Sequence, residues 1–295
     1  MLNQAQFRVL TYIEEKREVP SQRVLASDIG VSLGTINKTA NELIEIKYIN
    51  KNSITDLGLK ALEPYRVKRA VIMAAGFGSR LVPITLNTPK PLVRVHGKRI
   101  IDSLLDAIVA AGIEEIIIVR GYLKEQFEDL KFKYPNIRYI DNEIFNEANN
   151  ISSMLCARDL LQNAYVCEAD LLVRNPKIIT KYQYNSNYLA IPVATTDDWC
   201  FFTKNGRIVK LGIGGRNCSQ MVGVSYWDEE DGNKLKEHIK NVYEMPGGKE
   251  RFWDQVPLEF FINEYDVAIR ECSTKDIIEI DTFKELKAID SSYNI

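Results

Sequence analysis

The sequence predicts an α/β protein in which a small helical domain precedes a three-layer domain with a mostly parallel sheet. Two observations support this. From residue 67 onward, short apolar stretches alternate with helical stretches of ten or so residues, a pattern typical of βαβ units covered on both faces. The first 66 residues instead carry helical periods, and the basic, proline-containing join "EPYRVKRA" follows them. We therefore predict domains at 1–66 and 67–295.

The composition is that of an ordinary globular protein. Of the 295 residues, 45% are hydrophobic and 26% charged, and the net charge of -2 gives no general attraction to nucleic acid or anionic membranes. Five cysteines, an odd number without a C-x-x-C pair, argue against a disulfide framework and a cysteine zinc site. No signal peptide or membrane-spanning apolar segment is evident, so we expect a cytoplasmic protein.

The first domain has the pattern of three helices followed by a hairpin. "QAQFRVLTYIEEK" places Phe7, Leu10 and Ile13 at helical spacing, and two further helices flank a turn at Gly30 and Val31. "YINKNSITDLGLKAL" then sets a short polar turn between β-prone residues. Residues 1–64 resemble winged helix-turn-helix regulators, in which the hairpin forms the wing.

That resemblance implies DNA binding through the start of the third helix, where Ser32, Thr35, Asn37 and Lys38 would face the bases. The net charge of this domain gives only weak support for DNA binding. Nine Lys or Arg against eight Asp or Glu leave about +1, which is weak for a phosphate-tracking surface. DNA binding, homodimer formation and contacts with the second domain all stay open as roles for this domain.

A glycine-rich loop follows the first strand of the second domain, in "AVIMAAGFGSRLVPITLNTPKPL" at residues 70–92. Leu81 stands where a dinucleotide fingerprint requires its third glycine, and the G-K-[ST] of a P-loop is absent. The loop's backbone N–H groups can still cradle phosphates, and Arg80 and Lys90 add positive charge. The loop therefore favours a triphosphate site.

The motif A-A-G-x-G-S-R-L-x-P-x-T-x-x-T-P-K-P-L is similar to the signature of nucleotidyltransferases, which join a nucleoside triphosphate to a phosphorylated small molecule. This resemblance implies a Rossmann-like nucleotidyltransferase domain. It makes Arg80 and Lys90 the catalytic contacts to the triphosphate. The expected nucleotide cradle comprises Ala74, Ala75, Gly76, Gly78 and Ser79, together with Arg80 and Lys90.

Attack on an α-phosphate calls for Mg²⁺ held by one or two carboxylates. In "AYVCEADLLV" an apolar strand ends at Asp170, with Glu168 two residues earlier. In "KDIIEIDTFKELKAI" a second strand ends at Asp281, with Glu279 as the competing carboxylate. The family resemblance favours Asp170 and Asp281 as the metal ligands, although Asp281 could instead cap the following helix.

The later segments "VRGYLKEQFEDLKFKY", "NNISSML", "GVSYWDEE" and "FWD" resemble the CTP:phosphocholine cytidylyltransferases, from about residue 69 to the end. The resemblance implies in-line attack of phosphocholine on the α-phosphorus of CTP, giving CDP-choline and pyrophosphate. A quaternary ammonium is held by aromatic faces and a nearby carboxylate. The expected acceptor-binding residues are Asn149, Asn150, Trp199, Tyr226, Trp227, Trp253 and Asp254.

Two alternatives remain. The acceptor could be 2-aminoethylphosphonate, phosphoethanolamine or a sugar-1-phosphate, and a primary ammonium would then require hydrogen-bond acceptors in place of rings. The chain could also be a DNA-binding regulator whose transferase-like domain senses a nucleotide or a choline metabolite. Intact Arg80, Lys90, Asp170 and Asp281 favour the enzyme.

Overall fold

The computed structural model describes residues 1–294 and divides into two compact units. The first unit comprises Met1–Arg66 together with Tyr182–Tyr184. The second comprises residues 67–181 and 185 onward. Within the described range, no helix has the length and apolar character needed to cross a bilayer.

The first unit contains four helices and a short hairpin. An antiparallel bridge between Ile49 and Ile54 forms the hairpin, between the third and fourth helices. The helices are α1 (Gln4–Lys16), α2 (Gln22–Ile29), α3 (Leu33–Glu45) and α4 (Asp56–Leu62).

Local signals explain where these helices begin and end. The side chain of Asn3 accepts from the backbone N–H of Gln6, whose side chain accepts from Asn3 in return, forming a capping box on α1. Gly30 ends α2 in the left-handed region with φ 68°. Phe7 and Leu10 from the predicted helical stripe are buried in the unit's core. The winged helix-turn-helix assignment and DNA binding stay predictions.

The second unit carries the remaining elements. Its helices are α5 (Ile100–Ala110), α6 (Ile151–Ala157), α7 (Glu229–Glu244) and α8 (Phe283–Ile289). Its strands are β1 (Arg69–Ala74), β2 (Arg94–Val95), β3 (Lys98–Arg99), β4 (Glu115–Arg120), β5 (Ile137–Asp141), β6 (Ala164–Glu168), β7 (Leu171–Val173), β8 (Asn187–Lys204), β9 (Arg207–Trp227), β10 (Ala268–Glu271) and β11 (Ile277–Glu279).

Seven of these strands form one sheet in the order β10-β8-β9-β6-β1-β4-β5. β1 pairs in parallel with β4 and β6, β4 with β5, and β10 with β8, whereas β9 is antiparallel to both β6 and β8. Six strands thus run in one direction and β9 runs against them. The predicted α/β fold with a mostly parallel sheet is confirmed.

Helices cover both faces of this sheet, and the side chains of β1 show how. Ala70 and Ile72 point into the core that contains α5, whereas Val71 and Met73 point into the core that contains α6 and α7. Alternate residues of a strand face opposite sides, so a strand buried on both faces is apolar throughout. The result is the three-layer arrangement that the alternating pattern predicts.

The segment "AYVCEADLLV" differs from the single strand that its composition suggests. β6 ends at Glu168, Asp170 lies in a turn, and Leu171–Val173 forms β7 in a separate two-stranded sheet with β11. The predicted helix at "LKEQFEDLKFK" likewise forms tighter 3₁₀ turns over Lys124–Phe132. The break at Asp170 matters for the site, because it lets β7 pair with a strand from the end of the chain.

Gly232 of α7 provides a test of the packing. A Cβ at this position would lie 2.5 Å from the backbone oxygen of Leu161 and 2.7 Å from Cα of Gln162. Alanine normally favours a helix over glycine by roughly 0.5–1 kcal/mol, but overpacking against backbone costs about 1–3 kcal/mol. We therefore expect Gly232→Ala to lower the free energy of unfolding by about 1–2 kcal/mol.

Urea unfolding followed by tryptophan fluorescence measures this change, because all three tryptophans lie in the second unit. Glu237→Ala, at an exposed position of the same helix, is the matched control and should change stability little. A gain in stability for Gly232→Ala would contradict the packing described.

Candidate active site

A cavity of about 410 Å³ opens where β1 and β6 end. In parallel sheets, ligand sites form beyond the carboxyl ends of the strands. All seven residues expected to cradle the nucleotide line this cavity. Its wall comprises Met73, Ala74, Ala75, Gly76, Gly78, Ser79, Arg80, Lys90, Pro91, Phe145, Ala148, Asn149, Asn150, Ser152, Ser153, Glu168, Ala169, Asp170, Phe252 and Asp281.

Gly78 sets the shape of the glycine-rich loop. Its φ of 62° lies in the left-handed region, and a Cβ there would come within 2.8 Å of Cβ of Lys90. The hydroxyl of Thr85 donates to the carbonyl oxygen of Gly78 at 2.8 Å and holds the loop in place. Glycine therefore serves two needs here, since only glycine adopts this conformation readily and leaves room for Lys90.

Lys90 lies between two carboxylates at the centre of the site. Its ammonium donates to Oδ2 of Asp170 at 2.5 Å and to Oδ1 of Asp281 at 2.8 Å. Burial alone would lower the pKa of Lys90, but the charges of Asp170 and Asp281 outweigh it and the pKa is raised. Lys90 therefore stays a cation. Arg80 donates to the same Asp281 oxygen at 2.8 Å, with its guanidinium largely exposed.

Pairing between β7 and β11 brings the two aspartates together although they are far apart in the sequence. Leu171 lies opposite Glu279, and the N–H of Ile280 donates to the carbonyl oxygen of Asp170 at 3.2 Å. Asp170 directly precedes β7, and Asp281 follows β11. This antiparallel ladder therefore places both carboxylates at the same edge of the cavity.

Asp281 does not cap helix α8. Thr282 is the N-cap: its hydroxyl accepts from the N–H of Glu285, and the Glu285 carboxylate accepts from the N–H of Thr282. The capping role that the sequence left open for Asp281 thus belongs to its neighbour. The Asp281 side chain faces Lys90 and Arg80 instead.

Three carboxylates form the one group of at least three potential metal ligands in the described chain. Oxygens of Asp170, Glu279 and Asp281 all lie within 4.8 Å of one another. Oδ1 of Asp170 is buried and has no hydrogen-bond partner, so it is available to a ligand. Hard oxygen donors of this kind suit Mg²⁺. Desolvation and the charges of Asp170 and Asp281 raise the pKa of Glu279, and the charge of Lys90 opposes this rise.

Asn149 and Asn150 line the cavity at the start of α6 and also anchor the facing segment. Oδ1 of Asn150 accepts from the backbone N–H of Trp253 at 2.9 Å, and Nδ2 of Asn149 donates to the carbonyl oxygen of Glu250 at 3.2 Å. Much of their hydrogen-bonding capacity is therefore used within the protein.

The aromatic residues expected to surround choline lie elsewhere. Tyr226, Trp227 and Trp253 are at most 2% exposed, and Trp227 packs edge-on against Trp253 in the apolar core. Trp199 is half-buried and packs against Phe252. Neither these four aromatic residues nor Asp254 is part of the cavity wall. The structure thus does not bring the expected aromatic residues together around this cavity, because their rings pack against other aromatic side chains of the protein.

Sequence reasoning missed several residues of the cavity wall. Phe145 and Phe252 are its aromatic side chains, and Ser152 and Ser153 line it from α6. Phe252 stands beside the tryptophan in "FWD", and both serines fall within the quoted "NNISSML", so the motifs located these segments without identifying the side chains. No pattern in the sequence distinguished Phe145.

Glu168 also lines the cavity, as the last residue of β6. Burial, followed by the charges of Asp170 and Asp254, raises the pKa of Glu168 well above its usual value, with Lys90 opposing. The sequence offered Glu168 only as a competitor of Asp170 for metal. It lies outside the metal-binding group of the described chain.

Comparison with known proteins decides the family. A nucleotidyl transferase family model matches residues 69–188. The 2-aminoethylphosphonate cytidylyltransferase of Lancefieldella rimae is 39% identical over 76% of this chain and 92% of its own length. The chain belongs to the nucleotidyltransferase family. The choline-phosphate cytidylyltransferase of Haemophilus influenzae is a second relative of this nucleotidyltransferase, 33% identical over 73% of this chain and 93% of its own length.

A solved structure supports the same assignment. The CTP:phosphocholine cytidylyltransferase of Streptococcus pneumoniae superposes with a TM-score of 0.72 at 31% identity, covering 77% of this nucleotidyltransferase and 99% of that chain. The family resemblance seen in the sequence is therefore confirmed. Because relatives of similar identity carry different acceptor names, family membership leaves the acceptor open.

Asp254 gives a pH-dependent test of the site's surroundings. Its buried carboxylate accepts from the hydroxyl of Tyr188, and burial raises its pKa from 3.8 to about 6 against the lowering effect of that bond. The folded state therefore holds this proton more tightly than the unfolded state. The resulting stability is present below pH 3.8 and is lost as the pH rises through about 6.

In Asp254→Asn this titration is absent. The stability of the wild-type protein relative to this variant should therefore fall by up to about 3 kcal/mol between pH 4 and pH 7. Urea unfolding followed by tryptophan fluorescence at several pH values measures the difference, with the exposed Asp197→Asn as control. A difference that does not change with pH would show that Asp254 ionises normally.

Proposed function

We propose that this protein transfers the cytidylyl group of CTP to an acceptor with a phosphonate or phosphate at one end and a primary amine at the other. Our preferred acceptor is 2-aminoethylphosphonate. One observation carries the proposal. The cavity combines Lys90 and Arg80 with carboxylate and amide oxygens, and no tryptophan lines it.

The donor assignment rests on the loop and the relatives. The glycine-rich loop, Arg80 and Lys90 provide backbone donors and positive charge for a triphosphate. Three relatives that match over nine-tenths of their own length are named as cytidylyltransferases. CTP is accordingly the donor that we propose.

The acceptor assignment rests on the chemistry of the wall. A quaternary ammonium has no hydrogen-bond donors and is held by aromatic faces, whereas a primary ammonium has three donors that require oxygen partners. The carboxylate of Glu168 offers such oxygens, and Trp227 and Trp253 are directed into the core. Phosphocholine is the competing acceptor, favoured by the rings of Phe145 and Phe252.

In the proposed reaction, a phosphonate oxygen of the acceptor attacks the α-phosphorus of CTP. A new P–O bond forms as the bond from the α-phosphorus to the bridging oxygen breaks, and pyrophosphate leaves with the electron pair. Lys90 stays protonated and, with Arg80, is placed to stabilise the charge on the phosphates. The acceptor oxygen is already anionic, so no residue needs to remove a proton from it.

A magnesium ion fits this scheme as the cofactor. Asp170, Asp281 and Glu279 would hold it through their oxygens, and Oδ1 of Asp170 is buried and unpaired. When bound, Mg²⁺ supplies neutralisation of the phosphate charge. Lys90, which now bridges the two aspartates, would then be available to the phosphates.

Pyrophosphate release with CTP and Mg²⁺ tests the proposed function. We compare 2-aminoethylphosphonate, phosphoethanolamine, phosphocholine and glucose-1-phosphate. The value of kcat/KM for 2-aminoethylphosphonate should exceed that for phosphocholine by about tenfold or more, because the wall offers oxygen partners and few rings. A preference for phosphocholine would contradict the acceptor assignment. If no acceptor were turned over, the proposal that the protein is a cytidylyltransferase would be wrong.

Replacing Asp170 tests the metal site. Asp170→Asn keeps the shape of the side chain but removes one anionic ligand, so kcat should fall by about 100-fold or more. Calorimetric titration of Mg²⁺ with CTP should show weakened binding, while the circular dichroism spectrum stays unchanged. The exposed Asp197→Asn serves as the matched control. Full activity in Asp170→Asn would exclude this residue from metal binding.

A further inference from the structure

Glu168 ends β6 inside the cavity and lacks any partner in the described chain. It makes no hydrogen bond or ion pair with residues 1–294, and it lines the cavity. Glu168 is half-buried, and a carboxylate that is partly withdrawn from water normally has a hydrogen-bonding or cationic partner, because leaving it without one is costly. The partner of Glu168 is therefore to be sought in a ligand.

The metal site does not use Glu168. The carboxylates whose oxygens come within 4.8 Å of one another in the described chain are Asp170, Glu279 and Asp281. Lys90, which lines the same cavity, bonds to Asp170 and Asp281 and not to Glu168. Glu168 therefore lines the same cavity as Asp170 and Asp281 without taking part in this group of carboxylates.

Gly223, on the neighbouring strand β9, has no side chain and so leaves room for the side chain of Glu168. A Cβ at Gly223 would lie 2.4 Å from Cγ and 2.7 Å from Cβ of Glu168. The backbone of Gly223 is not in the left-handed region, so its conformation does not require glycine. The close approach of the Glu168 side chain is the remaining reason for glycine at this position.

We propose that Glu168 binds the ammonium group of the acceptor and that Gly223 is the residue that permits this. The inference rests on the proposed function, because it places the acceptor in this cavity. Glu168 ends β6 and Asp170 lies in the turn that follows, so an ammonium held by Glu168 would leave the other end of a short acceptor near the metal site. Glu168 would thus select acceptors by charge and by length.

The test compares two acceptors that differ only in the amine, namely 2-aminoethylphosphonate and ethylphosphonate. For the wild-type protein, kcat/KM should be higher with the amine by about 10- to 100-fold. Glu168→Gln keeps the size of the side chain and removes its charge. We expect it to lower kcat/KM for 2-aminoethylphosphonate by a similar factor, mainly through KM, and to leave ethylphosphonate turnover nearly unchanged.

Gly223→Ala should produce the same selective loss by displacing Glu168, and Asp197→Asn is the surface control. An equal loss with both acceptors in Glu168→Gln would overturn the inference, since Glu168 would then serve the fold or the metal. Wild-type turnover of phosphocholine alone would overturn both the inference and the acceptor assignment. Wild-type turnover of 2-aminoethylphosphonate with an equal loss in the variant would overturn the inference alone.

Discussion

The contact of Lys90 with Asp170 and Asp281 is the interaction on which the site depends. It joins the glycine-rich loop, the end of β6 and the end of β11, which are distant in the sequence. A buried ammonium is stable only while its carboxylates remain, and removing one partner of such a pair typically costs about 3–5 kcal/mol. The same charges that hold these segments together are those that a triphosphate and a metal ion require.

Residues next to the two aspartates stabilise the surrounding helix and strands, so the aspartate side chains are not needed for this. Thr282 and Glu285 cap α8, so Asp281 is not needed there. The β7–β11 ladder positions the chain through backbone hydrogen bonds, so the aspartate side chains take no part in the pairing. Separating structural from chemical roles leaves the carboxylates free to change partners. A metal ion bound as we propose would take the place of Lys90 between them and leave the β7–β11 ladder intact.

Local sequence patterns predicted which residues of the nucleotide cradle lie together. The positions of the aromatic side chains depend on tertiary packing and were not predicted. The cradle residues from Ala74 to Lys90 line one cavity because a single loop carries them, so spacing along the chain was sufficient. The alternation of strands and helices likewise predicted the layers. The orientation of Trp227 depends instead on which face of the sheet the end of β9 presents to the core, and that of Trp253 on how the segment after α7 packs against this face. A tryptophan suits an apolar core as well as a choline pocket, and residue type alone does not distinguish the two.

Gly223 illustrates a signal that only the structure makes visible. Glycine in a strand weakens it, because the chain loses more entropy on folding and no side chain packs. Where neither a turn nor a positive φ requires glycine, the gain that offsets this cost must come from the group that occupies the space of the missing side chain. Here the Glu168 side chain fills the space, and its carboxylate makes no hydrogen bond or ion pair in the described protein. A glycine weakens β9, and the carboxylate at the end of β6 has no partner. Both features are explained if a cationic ligand binds between Glu168 and the metal site, because Gly223 then makes room for a side chain that the ligand stabilises.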